Sequence, residues 1–283
     1  MSILPTAKTP PKPSLADLTV LWYGPTKIGK TSTCARADGA LFLATEPGLN
    51  ALDVFQAPIL SWDDLLNACA EIADGKHPFR TIIIDTIDNA YKFCTDYVLK
   101  KHGIEHESDM GYGKGYALIN NEFQRVLNKL AFLPYGLFLI SHAKEIEVET
   151  RSEKYTRIVP TLPEKARKIV LGMVDMVLYC SLEEVKGQEG EQDFRRVIRT
   201  KPSLYYEAGD RTGRLPATLD LDFGKFIEAY NAPFWVQNHR CGHYWTEQGP
   251  ASHFVQTGNP LPAAFARFAF KSGRALPAHR RGF

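Results

Sequence analysis

The sequence lacks the features that would mark a secreted or membrane protein. Its 283 residues include five cysteines, an odd number, and no two are spaced as C-x-x-C. No apolar run approaches the roughly 18 residues that a membrane-spanning helix needs. The first residues, MSILPTAKTPPKPS, carry prolines where a signal peptide would need an apolar run. We therefore expect a soluble cytoplasmic protein with reduced thiols and no membrane partner.

An excess of one charge is also lacking over the whole chain. Lys and Arg number 34 against 32 Asp and Glu, a net charge of +2, which favours no particular partner. From Pro233 onward the composition changes to six Lys or Arg and one acidic residue, Glu247. We divide the chain into a flexible segment (1–15), a core (16–231) and a basic aromatic extension (232–283). The extension holds enough ligands for a zinc site, in an unfamiliar spacing: His239, Cys241, His243 and His253.

Strand-like and helix-like segments alternate along the core. Apolar strands are predicted at 19–23, 40–45, 80–85 and 136–142, and helices at 30–36, 62–74, 87–101 and 116–132. This alternation predicts an α/β fold with a mostly parallel central sheet flanked by helices. Further along, we expect a hairpin or mobile loop at 145–160, a helix at 163–174, strands at 175–181 and 193–200, a C-terminal hairpin at 203–223, and a helix at 225–230.

The stretch GPTKIGKTS has the spacing of a phosphate-binding loop, G-x-x-x-x-G-K-[ST], between a strand and a helix. Its glycines let backbone N–H groups turn towards an anion. Lys30 is expected to reach the β- and γ-phosphates, and the Thr31 hydroxyl to bind Mg²⁺. The predicted nucleotide-binding residues are Gly24, Pro25, Thr26, Lys27, Ile28, Gly29, Lys30, Thr31 and Ser32.

A second motif, RTIIIDTID, ends an apolar strand in Asp85. A carboxylate there would lie beside the phosphate loop and hold the Mg²⁺ shell, together with Thr31. The alternative is that Asp85 only caps the next helix.

No glutamate follows Asp85, because the next residue is Thr86. Another carboxylate, Glu46, ends the second predicted strand, and His142 ends the fourth. Neighbouring parallel strands end at the same edge of a sheet, so Glu46 can face the γ-phosphate and His142 can sense it. The alternatives are a capping role for Glu46 and a structural role for His142.

These motifs together resemble the RecA-type ATPase core. The details GPTKIGKTS, ATEPG, IIIDTID, YGKGY, LISHAKE and YEAGDRTGRLP are similar to phage-encoded RecA-like, AAA-type nucleotide-binding proteins, which include ATP-dependent single-strand annealing proteins. The resemblance covers roughly residues 18–230. It implies ATP and Mg²⁺ as cofactors, Glu46 as the catalytic glutamate, His142 as the γ-phosphate sensor, and, for a phage protein, the host cytosol.

The resemblance also implies a basic finger on the C-terminal hairpin, matched here by Arg211. Such a finger enters the ATP site of a neighbouring subunit, so a ring or filament of identical subunits is implied. Related hairpins often carry a lysine two residues earlier, where this chain has Gly209. Lys201 is an alternative second cation, and Arg211 has an alternative role as a plain turn residue.

Two segments combine the residue types that bind single-stranded DNA. The segment 108–125 offers aromatic faces and a cation, and the segment 143–160 offers cations diluted by glutamates. The candidate contacts are Tyr112, Lys114, Tyr116, Lys144, Arg151, Lys154 and Arg157. The alternatives are an ordinary solvated start of a helix for the first segment and a salt-bridged hairpin for the second.

Three functions follow from these motifs. The first is a RecA-like ATPase acting on single-stranded DNA in recombination or annealing, with a single-strand binding protein as a further partner. The second is a nucleotide-gated scaffold or loader for replication proteins without annealing activity. The third, disfavoured because no Arg-rich lid is recognisable, is a small-molecule kinase.

Overall fold

The central element of the protein is a ten-stranded sheet, seen in a computed structural model that describes residues 6–8, 14–151, 153–186 and 192–232. The strands are β1 (Thr19–Gly24), β2 (Ala40–Ala44), β3 (Phe55–Pro58), β4 (Thr81–Asp85), β5 (Gly136–Glu149), β6 (Lys154–Pro160), β7 (Met176–Lys186), β8 (Gln192–Arg199), β9 (Gly209–Asp210) and β10 (Thr218–Asp220). The helices are α1 (Lys30–Cys34), α2 (Trp62–Asp74), α3 (Ile87–His102), α4 (Lys114–Ala131), α5 (Glu164–Met173) and α6 (Phe223–Asn231).

The strand order confirms the predicted α/β fold. The sheet runs β10-β8-β7-β1-β5-β4-β2-β3, and every pair from β7 to β3 is parallel. Strands β8 and β10 extend it with antiparallel pairs. All residues of β1 and β4 are buried, as continuous apolar strands in a sheet covered on both faces must be.

Side chains alternate along each central strand between two apolar cores. On one face, Leu21 and Ile84 pack with apolar residues of α2, α3, α4 and α5. On the other, Trp22 and Ile83 pack with residues of α1 and α6. Helices therefore cover both faces of the sheet. Among the described residues, no helix is both long enough and apolar enough to cross a bilayer.

Four features differ from the sequence-based expectations or decide between them. Residues 145–160 form a hairpin. Its strands β5 and β6 pair antiparallel, from Ala143 opposite Pro160 to Glu149 opposite Lys154. The prediction of a hairpin at 203–223 is wrong, because β9 pairs with β7 and β10 with β8. The edge strand β3 was not predicted. Packing also begins one residue before the expected core boundary, since Leu15 is buried.

Three strands, β1, β2 and β4, end at one edge of the sheet, and β5 passes the same edge at His142 instead of ending there as predicted. Gly24 at the end of β1 lies opposite His142 on β5, and Ala44 at the end of β2 lies opposite Asp85 on β4. We call this the carboxyl edge. At the other edge, which we call the amino edge, Asp175 accepts a hydrogen bond from the Thr19 N–H at 3.0 Å.

Candidate nucleotide-binding site

The loop between β1 and α1 is closely packed. A Cβ on Gly24 would lie 2.3 Å from the Cys180 carbonyl oxygen, so only glycine fits there. Gly29 has φ of 113° and Lys27 has φ of 61°, both in the left-handed region. This backbone path is the concave turn that the G-x-x-x-x-G-K-[ST] spacing predicts.

Lys30 lies at the mouth of this loop, only 5% exposed. Its Nζ donates hydrogen bonds to the carbonyl oxygens of Gly24 at 2.9 Å and Pro25 at 2.8 Å. Burial lowers the pKa of Lys30, and the nearby carboxylates of Asp85 and Glu46 act in the opposite direction. The loop therefore holds a largely desolvated cation, which interacts with an anion more strongly than an exposed lysine would.

Thr31 and Asp85 form a pair of oxygen ligands. The Thr31 hydroxyl donates to Asp85 Oδ2 at 2.7 Å, and Asp85 is 5% exposed. Burial raises the pKa of Asp85, while the Thr31 hydrogen bond opposes that shift. Mg²⁺ prefers oxygen ligands and commonly keeps only one or two protein ligands beside waters and phosphates. A hydroxyl beside a buried carboxylate fits Mg²⁺, and Thr31 and Asp85 are the residues that would hold it.

Glu46 lies between two polar side chains. Its Oε1 is 3.4 Å from His142 Nε2, and its Oε2 accepts a hydrogen bond from Asn89 Nδ2 at 3.1 Å. The side chains of Glu46 and His142 are 33% and 31% exposed, so solvent reaches both. His142 Nδ1 is buried and has no hydrogen-bond partner in the described chain. The carboxylate is thus oriented and also accessible to water, as a general base must be.

Asp88, which was not predicted as a site residue, lies beside the main chain of His142. Asp88 Oδ1 accepts a hydrogen bond from Ser141 Oγ at 3.0 Å, and Oδ2 accepts one from the His142 N–H at 2.9 Å. Burial raises the pKa of Asp88, and these two hydrogen bonds oppose the shift. Asp88 therefore ties the start of α3 to the end of the buried part of β5. The only sequence signal was its place three residues after Asp85, in the first turn of α3.

A protein-family model described as an AAA domain matches residues 16–212, well over half of the chain. The chain belongs to the AAA domain family. This membership agrees with the phosphate loop and the acidic strand end already described, and it identifies the core as a P-loop nucleotide-binding domain.

One curated relative and two solved structures are similar to this AAA domain protein. The SPbeta prophage-derived uncharacterized protein YorG of Bacillus subtilis is 29% identical over 188 residues, which is 64% of this chain and about half (54%) of that protein. The flagellar accessory protein FlaH of Methanocaldococcus jannaschii is 12% identical, with a TM-score of 0.35, over 65% of this chain and 77% of its own. A KaiC-like protein of Pyrococcus horikoshii is 11% identical, with a TM-score of 0.37, over 65% and 78%.

The structure places Arg211 of the AAA domain away from the phosphate loop. Its Nη1 lies 3.4 Å from Asp175 Oδ1, and its Nη2 donates to the Gly172 carbonyl oxygen at 3.2 Å. These contacts are at the amino edge of the sheet. Lys201, the alternative second cation, lies nearby with its Nζ 3.9 Å from Asp210 Oδ2. Neither cation is brought to the phosphate loop of its own chain.

The candidate DNA contacts differ in how freely their side chains are presented. Tyr112 is fully exposed, Tyr116 is 42% exposed, and Lys114 is exposed at the start of α4. In the β5–β6 hairpin, Lys154 pairs with Glu147 at 2.7 Å and Arg157 with Glu207 at 3.3 Å. Arg151 is exposed in the turn and Lys144 is half-buried. The first segment is therefore the more available to a ligand.

Residues 233–283 lie outside the described residues. The possible zinc ligands His239, Cys241, His243 and His253 are all among them.

Proposed function

We propose that this AAA domain protein binds and hydrolyses ATP with Mg²⁺ and uses that cycle to act on single-stranded DNA, in phage-type recombination or strand annealing. The observation that carries most weight is the contact between Glu46 and His142. It joins a candidate catalytic group to β5, the strand that continues into the β5–β6 hairpin with its candidate DNA contacts.

Lys30, Thr31 and Asp85 would bind the triphosphate. Lys30 would exchange its bonds to the loop carbonyls for bonds to the β- and γ-phosphates, and its burial strengthens that attraction. Thr31 and Asp85 would hold Mg²⁺, which supplies neutralisation of the phosphate oxygens when bound.

Glu46 would orient and deprotonate the attacking water. Asn89 donates a hydrogen bond to one carboxylate oxygen of Glu46. The other oxygen lies beside His142 and would accept the proton from the attacking water. Loss of the γ-phosphate would change the surroundings of His142, whose backbone is tied to Asp88. A displacement there would pass along the continuous strand β5 to the hairpin, which gives nucleotide state a route to the DNA contacts.

Arg211 would complete the site of a neighbouring subunit in a ring or filament. The prophage origin named for the Bacillus subtilis relative supports a phage-encoded protein that acts in the host cytosol. A single-strand binding protein is the natural further partner, because it covers the same DNA.

ATP turnover with and without single-stranded DNA tests this function. We expect DNA to stimulate turnover, with a steep dependence on salt, because phosphate contacts release counterions. Tyr112→Ala should weaken the stimulation, since a base stacked on an aromatic ring contributes about 1–3 kcal/mol. Phe132→Ala is the matched control, because Phe132 is 90% exposed at the opposite end of α4.

The other outcomes separate the remaining functions. If DNA does not stimulate ATP turnover and adds no salt dependence to it, the proposed DNA function is contradicted. The scaffold or loader is then favoured. Transfer of phosphate to a nucleoside or sugar would instead identify a kinase. Equal loss of stimulation in the Tyr112 and Phe132 variants would remove the 108–125 segment from the DNA contacts.

A further inference from the structure

Strand β8 carries three arginines, and one of them differs from the other two. Arg195 and Arg199 both pair with Glu183, the latter at 3.0 Å. Arg196 forms no ion pair with any side chain in the described parts of the chain. Because successive residues of a strand point to opposite faces, Arg196 lies on the face opposite Arg195. It shares that face with Ile198, which packs in the core beside α1.

Arg196 reaches the phosphate loop from outside. Its Nη1 donates to the Ile28 carbonyl oxygen at 3.4 Å, which is longer than a typical N–H···O hydrogen bond, although the donor carries a full charge. A Cβ on Gly29 would lie 2.9 Å from the same nitrogen, so a side chain at Gly29 would displace the guanidinium. Two different residues of the loop thus adjoin one arginine.

The backbone of Arg196 is fixed on both sides. On one side, Arg196 is paired with Leu182 of β7. On the other, the Arg196 carbonyl oxygen accepts a hydrogen bond from the Leu221 N–H at 2.9 Å. The side chain that contacts the loop therefore extends from a strand whose backbone is held within the main sheet.

The geometry of one peptide unit links Arg196 to phosphate binding. The Ile28 carbonyl and the Gly29 N–H belong to the same planar trans unit, so they point in opposite directions. A contact that holds the carbonyl towards β8 turns the Gly29 N–H away from β8. That N–H donates to no backbone acceptor in the described chain. Inward-pointing N–H groups of this loop type cradle the phosphates.

We propose that Arg196 is a positioning residue for the nucleotide's diphosphate. It orients the Ile28–Gly29 peptide unit for binding, and its charge, without a carboxylate partner, raises the positive potential behind the loop. This role rests on the proposed nucleotide binding, and it predicts a loss of affinity for ADP as well as ATP.

The test compares Arg196→Gln with Arg195→Gln, a substitution of the neighbouring arginine on the opposite face. MgADP is the probe, because its binding involves neither hydrolysis nor a γ-phosphate. We expect Arg196→Gln to weaken MgADP binding about tenfold, as loss of a charge-assisted contact does. Arg195→Gln should stay within about twofold of wild type. Arg196→Lys should recover part of the loss, since it restores a cation that binds as a point charge.

Two further readouts distinguish positioning from general stability. The Tm of the nucleotide-free Arg196→Gln variant should match that of wild type, while the rise in Tm on adding MgADP should shrink. In ATP turnover, KM should rise about tenfold and kcat should stay within about threefold.

Equal MgADP affinity in wild type and Arg196→Gln, or equal losses in the Arg195 and Arg196 variants, would overturn the role of Arg196 and leave nucleotide binding intact. A wild-type protein that binds no MgADP would overturn the proposed function and this role together.

Discussion

The two edges of the central sheet differ in how they present charged residues. At the carboxyl edge, Lys30 and Asp85 are each 5% exposed and are held by hydrogen bonds within the chain. At the amino edge, the side chain of Arg211 is 60% exposed and contacts Asp175 at 3.4 Å. Six residues of β1 separate the edges, about 20 Å at the usual rise of a strand. Arg211 therefore does not contact the phosphate loop of its own chain, and the proposed finger role requires a second copy.

The largest expected effect is at the carboxyl edge. Lys30→Ala removes the desolvated cation at the mouth of the loop, so ATP turnover should fall to background. A coupled ATPase assay measures this loss. Lys168→Ala is the control, because Lys168 is exposed on α5 and pairs with Glu164 on the same helix. Turnover above a tenth of wild type in the Lys30 variant would exclude this loop as the catalytic phosphate site.

The next effect is at the amino edge. Arg211→Ala should lower kcat about 1,000-fold, the scale of an arginine finger, while MgATP affinity changes little. Steady-state kinetics and equilibrium binding separate the two quantities. Arg214→Ala is the control, since its guanidinium lies over the Tyr230 ring 4.9 Å from the centroid, within the same subunit. Wild-type turnover in the Arg211 variant would show that the amino edge has no part in hydrolysis.

A smaller loss is expected for the candidate base. Glu46→Gln keeps an oxygen that can accept the Asn89 hydrogen bond but cannot take a proton from water. The kcat for ATP should fall about 100-fold with little change in nucleotide affinity. Single-turnover kinetics measures the chemical step directly. If the chemical step is unchanged, Glu46 orients its neighbours and another group activates water.

Stability gives a finer comparison between two carboxylates of the carboxyl edge. Both oxygens of Asp88 accept hydrogen bonds. In Asp88→Asn one of the two donors would face the amide NH2 group, which cannot accept a hydrogen bond. This variant should lose about 1–3 kcal/mol of unfolding free energy. Asp85 accepts from Thr31 through one oxygen, which an asparagine can replace. Asp85→Asn should therefore raise the stability of the nucleotide-free protein at neutral pH, because it removes a buried charge. Urea unfolding measures both variants.

The difference in stability between Asp85→Asn and wild type should depend on pH, and the direction follows from the pKa of Asp85. Burial raises the folded-state pKa of Asp85 above its ordinary value of 3.8, so the folded state binds the proton more tightly than the unfolded state. The contribution of Asp85 to stability should fall as pH rises from 3.8 through the raised folded-state pKa. The advantage of Asp85→Asn should therefore shrink as pH is lowered towards that ordinary value. An advantage that grows on acidification would contradict the burial argument.

The sequence predicted the site residues whose spacing is fixed by local structure. Lys30 and Thr31 follow from the loop motif, and α2 matches its prediction because Ser61 caps its start and Gly75, with φ of 73°, ends it. Asp88 and Asn89 were missed because their partners Ser141 and Glu46 lie 53 and 43 residues away in the chain. Contacts at such separations have no local pattern.

Strand pairing and edge position explain where the predicted strands differ from the observed ones. The turn at Gly213, with φ of 68°, is real, but β9 and β10 pair with the longer strands β7 and β8 instead of each other. Strand β3, with sequence FQAP, contains a proline and lies mostly exposed at the sheet edge, so neither apolar continuity nor alternation marked it.

Mixing two inactive variants tests most directly whether the two edges cooperate between subunits. Lys30→Ala has a defective carboxyl edge and an intact Arg211, and Arg211→Ala has the reverse. If Arg211 acts on the neighbouring site, mixed assemblies contain interfaces with both residues intact, and ATP turnover should recover to a substantial fraction of wild type, with a maximum at intermediate mixing ratios. Turnover in the mixture that equals the sum of the two separate variants, under conditions where the subunits exchange, would contradict completion of the site by a second copy.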